Sequence, residues 1–167
     1  MMPYFYGDTF YTDGGPSGVP TSARVDLATV NNVTWEDAFQ FDGTGPTGNT
    51  PNFWPPGTTG PQWTLAGQNH LITIKGNRLQ ASPLLRIDSG VTGCQMIIVD
   101  DANNRILHTL VPDTVLSGTG AATGVTGPGL IPGTYVYDWI MYDGSTPPIR
   151  IPLMHGKFVV QDGVGAP

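Results

Sequence analysis

Three histidines, His70, His108 and His155, are the only imidazoles in the 167-residue chain. A hydrolase would need one of them beside a nucleophile and an orienting group. They lie far apart in sequence, with neither a Gly-x-Ser-x-Gly elbow nor a His-Glu-x-x-His pair near them. Each is expected to be a satisfied or solvent-facing side chain. Glu36 and Asp37 supply adjacent carboxylates, but neighbours on a strand point to opposite faces and cannot flank one glycosidic bond. Asp100, Asp101, Asn103 and Asn104 offer oxygens of the kind Ca²⁺ takes. That run lacks the acidic residue needed to close a calcium loop, and turn formation by Asp and Asn already explains it. The glycine-rich residues 117–129 are not followed by Lys-Ser/Thr, so they do not read as a phosphate cradle. Cys94 is the only cysteine, which excludes an internal disulfide and a cysteine-only metal site, and its apolar surroundings predict a small buried hydrophobe. The expectation is a protein with no catalytic residue, no cofactor and no metal.

Composition narrows the alternatives. Gly 23 and Pro 16 with 39% hydrophobic residues suit many short strands joined by tight turns. Charged residues are only 12%, about half the usual share, so Thr, Ser, Asn, Gln and Gly must cover much of the surface. The net charge is −6 and the seven Lys and Arg are scattered singly along the sequence, which predicts no nucleic-acid partner. There is no charged-then-apolar leader and no apolar run approaching about eighteen residues, so neither a signal peptide nor a membrane span is expected. The protein is expected to be made in the cytosol.

The elements that must carry these side chains are strands. From Tyr135 to Tyr142 the residues are mostly aromatic or β-branched, with turn signals Pro132-Gly133 before them and Asp143-Gly144 after. Strand alternation puts Tyr135, Tyr137, Trp139 and Met141 on one face, large enough to anchor a core, and Val136, Asp138, Ile140 and Tyr142 on the other. Apolar residues at 149–153 and 158–160 complete a terminal hairpin. Upstream, Leu71 to Lys75 and Leu79 to Ile87 read as strands, the second interrupted by Pro83 and so placed at a sheet edge or bulge. Cys94 to Val99 and Arg105 to Leu110 read as a second hairpin. No window holds a helical period, so the predicted fold class is all-β, an antiparallel sandwich over residues 62–163 with a short tail at 164–167. Tyr135, two positions ahead of the inward-facing Tyr137, has the layout of a tyrosine corner. Trp63, Met96, Ile98, Tyr135, Tyr137, Trp139 and Phe158 are the expected core.

Residues 1–61 differ. Their aromatic residues sit singly or in pairs among Gly, Pro, Thr and Asp. Short strands over 25–33 and 33–41, or a helical turn from Trp35 to Phe39, are the local alternatives. Disordered tails are poor in aromatics, so the segment is expected to be an extended arm that lays its rings on its own domain or on a neighbouring subunit. The expected partner-binding residues are Tyr4, Phe5, Tyr6, Phe10, Tyr11, Trp35, Phe53 and Trp54.

Met96 to Leu107, Pro132 to Trp139, Asp143-Gly144 and Gly156 to Val160 together resemble the immunoglobulin-like β-sandwich modules of tailed-phage virion proteins. The likeness covers roughly residues 62–163 and contains no catalytic signature. It implies a non-enzymatic virion protein, a capsid decoration protein that binds and bridges major capsid subunits or another virion lattice, with self-association as a further expectation. Placement in the tail or baseplate, or a receptor- or carbohydrate-binding role using Trp139, Tyr142 or Trp54, is the alternative it leaves open.

Overall fold

The computed structural model describes residues 4–5, 23–41, 67–100, 106–148 and 150–163. Within these residues eleven strands run in chain order as β1 (Tyr4–Phe5), β2 (Ala23–Arg24), β3 (Leu27–Val30), β4 (Trp35–Phe41), β5 (Asn69–Lys75), β6 (Leu85–Asp88), β7 (Ile97–Asp100), β8 (Ile106–Val111), β9 (Val125–Thr126), β10 (Gly133–Tyr142) and β11 (Arg150–Gln161). Among the described residues one short helix, α1 (Asp113–Leu116), follows β8.

The strands form two sheets. The smaller has four strands in the order β1-β4-β8-β7; the larger has seven, in the order β2-β11-β10-β5-β6-β9, with β3 also on β11. The chain passes from one sheet to the other after β1, β3, β4, β6 and β8, which closes a sandwich. The order β4-β8-β7 against β11-β10-β5-β6 is that of an immunoglobulin-like fold. Both expected hairpins are present, β10 antiparallel to β11 and β7 antiparallel to β8. The row from Tyr135 to Met141 is buried as its alternation predicts. The corner is also present: the Tyr135 hydroxyl donates to the Ile131 carbonyl at 2.6 Å.

Two edge-to-face ring pairs span the sheets and define the core. Trp35 of β4 meets Phe158 of β11 at 4.8 Å between centroids, and Phe39 of β4 meets Trp139 of β10 at 5.4 Å. Trp35 is thus 1% exposed and lies in the core, not on a partner-binding arm. Residues 23–41, placed by sequence in the arm with short strands over 25–33 and 33–41, do form strands there, but as part of the sandwich: β2 and β3 run parallel to β11, and β4 runs antiparallel to β8. The alternative helical turn at 35–39 is strand as well, because pairing with β8 places Trp35 and Phe39 inward at a period of two. The expected division at residue 61 therefore cuts through the sandwich.

Ile98, expected in the core, faces outward. It is 45% exposed, while its neighbour Ile97 is buried, since pairing with β8 sets the phase of β7. Met96 and Cys94 are half-buried against the core. The stretch 117–129 holds β9, which extends the large sheet by pairing with β6. Gly124 shows why glycine is needed there: its φ is +79°, and a Cβ would stand 2.6 Å from the Asp88 carbonyl oxygen. Tyr6, Phe10, Tyr11, Phe53, Trp54, Trp63, the Asp101–Asn104 turn and the 164–167 tail lie outside the described residues, as do the side chains of Tyr4 and Phe5.

Candidate docking face

The three imidazoles lie apart, one in the core and one on the outer face of each sheet. His70 is fully buried and its Nδ1 accepts the Trp139 indole N–H at 3.3 Å. His108 pairs with Ala38 and Ile98 on the outer face of the four-stranded sheet. His155 pairs with Asp138 on the outer face of the seven-stranded sheet. Glu36 is exposed, whereas Asp37 turns inward and accepts the Trp35 indole N–H at 2.7 Å. Burial raises the Asp37 carboxyl above its ordinary value, and the bond from Trp35 opposes that shift. Among the described residues no three of His, Cys, Asp and Glu gather as metal ligands.

The fold concentrates something else, the basic side chains. Registers across β2, β11, β10, β5 and β6 put Arg24, His155, Asp138, Thr73 and Arg86 in one row on the outer face of the large sheet. The next row holds Lys157, Val136 and Lys75, and Arg150 stands opposite Tyr142 near the far end of the hairpin. Arg78, in the turn after β5, joins Lys75 at the rim of a hollow of about 350 Å³. Thr73, Asp138, His155 and Gly156 also line that hollow. Six of the seven Lys and Arg thus share one face or its rim, and Arg105 is outside the described residues. Among the described residues no Lys or Arg lies on a strand of the four-stranded sheet.

Three carboxylates sit among these cations. Arg86 pairs with Asp88 at 2.8 Å, and Arg24 lies 3.9 Å from Asp26 with both side chains largely exposed. Asp88 also accepts from the Tyr142 hydroxyl at 2.5 Å. Asp138 is exposed at the centre of the first row. Among the described residues Lys75, Arg78, Arg150 and Lys157 make no ion pair.

The joint between β2 and β3 aligns this face. The Val25 N–H donates to the His155 carbonyl at 2.8 Å, and the Tyr137 hydroxyl donates to the Val25 carbonyl at 2.7 Å. The Lys157 N–H donates to Asp26 Oδ1 at 2.9 Å. Tyr137, expected only as a core contact, therefore also anchors the first strands to the last.

Of the residues singled out from sequence for binding, Tyr142 alone of the described ones lies on this face, opposite Arg150, and none of the cations was singled out. The signal was present strand by strand, since Lys75, Arg86 and Lys157 each occupy the polar phase of an alternating strand. Which strands lie side by side is a long-range property that local spacing does not carry. Trp139, offered above as a carbohydrate stacker, is fully buried and cannot serve as one. The chain matches no protein-family model, and no curated protein matches it in sequence.

Proposed function

We propose that the chain is a non-enzymatic structural protein of a tailed-phage virion that works by docking onto neighbouring protein subunits, as a capsid accessory protein does. The observation that supports docking is the sorting of side chains. Trp35 and Phe39 of β4, Tyr135, Tyr137 and Trp139 of β10 and Phe158 of β11 converge inward, while the cations collect on one broad sheet face. Of the histidines, His70 is buried in the core while His108 and His155 stand on opposite outer faces. Placement in a virion rests on the sequence resemblance, and the immunoglobulin-like strand order is consistent with it. Burial of Trp139 removes one of the three rings proposed for a carbohydrate-binding role.

Quantitative mass spectrometry of purified complete particles, empty heads and detached tails tests the assignment. The reading expects the chain in heads at a fixed ratio to the major shell protein. Its presence in tails alone would move it to the alternative site, and absence from all particles would refute virion membership.

A further inference from the structure

Seven cations scattered along the sequence predict no nucleic-acid partner, but folding brings six of them together in a chain of net charge −6. Among the described residues, six cations against Asp26, Asp88 and Asp138 leave this face with a surplus of positive charge. The row from Arg24 to Arg86 crosses four strand-to-strand steps, about 19 Å at the usual spacing. From Val136 to Tyr142 the face runs a further ~20 Å along β10.

We infer that the outer face of the seven-stranded sheet is a docking surface for an acidic segment of a partner protein. Its carboxylates would seat on Lys75, Arg78 and Lys157, and its amide or hydroxyl groups on Thr73, Asp138 and His155. The inference rests on the docking reading above but not on where in a virion the partner sits.

The central position of Asp138 selects among anionic partners. A continuous row of phosphates crossing the face would meet that carboxylate head on, and like charges at close range repel. A polypeptide separates its carboxylates by neutral amides and hydroxyls, which can donate to Asp138 while the acids reach the cations around it. Lys75 and Lys157 lie on either side of Val136, two strand spacings or about 10 Å apart, so the positive charge flanks the centre. The flat area is about 400 Å², below the ~800 Å² per partner of a standard stable complex. The contact is therefore weak, salt-sensitive and suited to repeated attachment alongside other contacts.

The test is a titration of short poly-L-glutamate into the full ¹⁵N-labelled chain at low salt, followed by amide chemical shifts. The expected shifts fall on Thr73, Lys75, Val136, Asp138 and His155, fade at high salt, and weaken about tenfold in the Lys75→Glu/Lys157→Glu double variant. Glu36→Lys, on the opposite sheet, should leave binding unchanged. If the double variant loses its folded spectrum, Lys75→Ala and Lys157→Ala are each expected to weaken binding partially. Absence of shifts, or shifts confined to the four-stranded sheet, would overturn the inference. So would a polyuronate or duplex DNA that shifts the same amides at lower concentration than the peptide, since the face would then belong to another class of partner. Particle composition reads virion membership separately, so failure of either claim is seen on its own.

Discussion

Gly156→Ala should be among the most damaging single-methyl additions in the protein. A Cβ at this position would stand 2.2 Å from the Val25 carbonyl oxygen, 2.8 Å from its carbon and 2.9 Å from Asp26 Oδ1. The first two are backbone atoms, so the joint between β2 and β3 would have to retreat by about 1 Å to reach van der Waals distance. Three hydrogen bonds hold that joint: Val25 N–H to His155, Tyr137 hydroxyl to Val25, and Lys157 N–H to Asp26. At about 0.5–1.5 kcal/mol each, stretching or losing all three costs roughly 2–4 kcal/mol. For a chain of this size that corresponds to a fall in Tm of roughly 4–16 °C. Equilibrium urea unfolding measures the loss, and hydrogen exchange at the Val25 amide locates it. Gly144→Ala is the control, since a Cβ there meets nothing within 4 Å, and its midpoint should hold to within about 0.5 kcal/mol. A Gly156→Ala midpoint as unchanged as the control's would mean that residues 23–26 are not fastened to β11, and the account of the first strands would fail.

Other perturbations probe separate parts of the fold. Tyr135→Phe removes a hydroxyl that both donates to and accepts from the Ile131 backbone, but Ile131 is exposed and water can replace part of the loss. A cost of about 1–2 kcal/mol in urea is expected, and an unchanged midpoint would argue against the corner as a structural tie. Burial and the bond to Asp88 raise the Tyr142 phenol from 10.0 to about 12, so the folded state holds that proton longer than the unfolded chain does. Its contribution is complete below pH 10 and is lost as pH rises to about 12. Tyr142→Phe should therefore flatten part of the alkaline fall in urea midpoint, with an identical slope in the variant contradicting this. Burial also raises the Asp37 carboxyl, so its contribution is complete below the ordinary value of 3.8 and is lost as pH rises through the folded value. Asp37→Asn keeps an oxygen for the Trp35 indole and should raise the urea midpoint at neutral pH, with the gain vanishing in acid. A lower midpoint at neutral pH would refute it.

What local sequence could reveal follows from the range of each interaction. The Tyr135 to Tyr142 strand alternates large inward residues with smaller or polar ones, so its buried face, its hairpin and its tyrosine corner were all legible. Ile97 and Ile98 lie inside a run that is apolar throughout, where alternation carries no phase, and only pairing with β8 decides which one turns inward. Trp35 and Phe39 stand among polar residues and read as rings on an arm. Their burial depends on β8, met about seventy positions later, where the Asp37 N–H donates to Thr109 Oγ1 at 3.0 Å. The docking face is the extreme case, since its first row draws one residue from each of five strands between Arg24 and His155. No window of sequence contains it.

The most direct test of docking through this face is saturation binding to virus particles that lack the chain. Labelled wild-type protein and the Lys75→Glu/Lys157→Glu variant would each be sedimented with the particles over a range of concentration. Saturable binding of the wild type at a fixed ratio to the shell protein, lost in a variant that is still folded, is the predicted result. Equal binding by the two proteins, or no saturable binding of the wild type to heads or to tails, would contradict it.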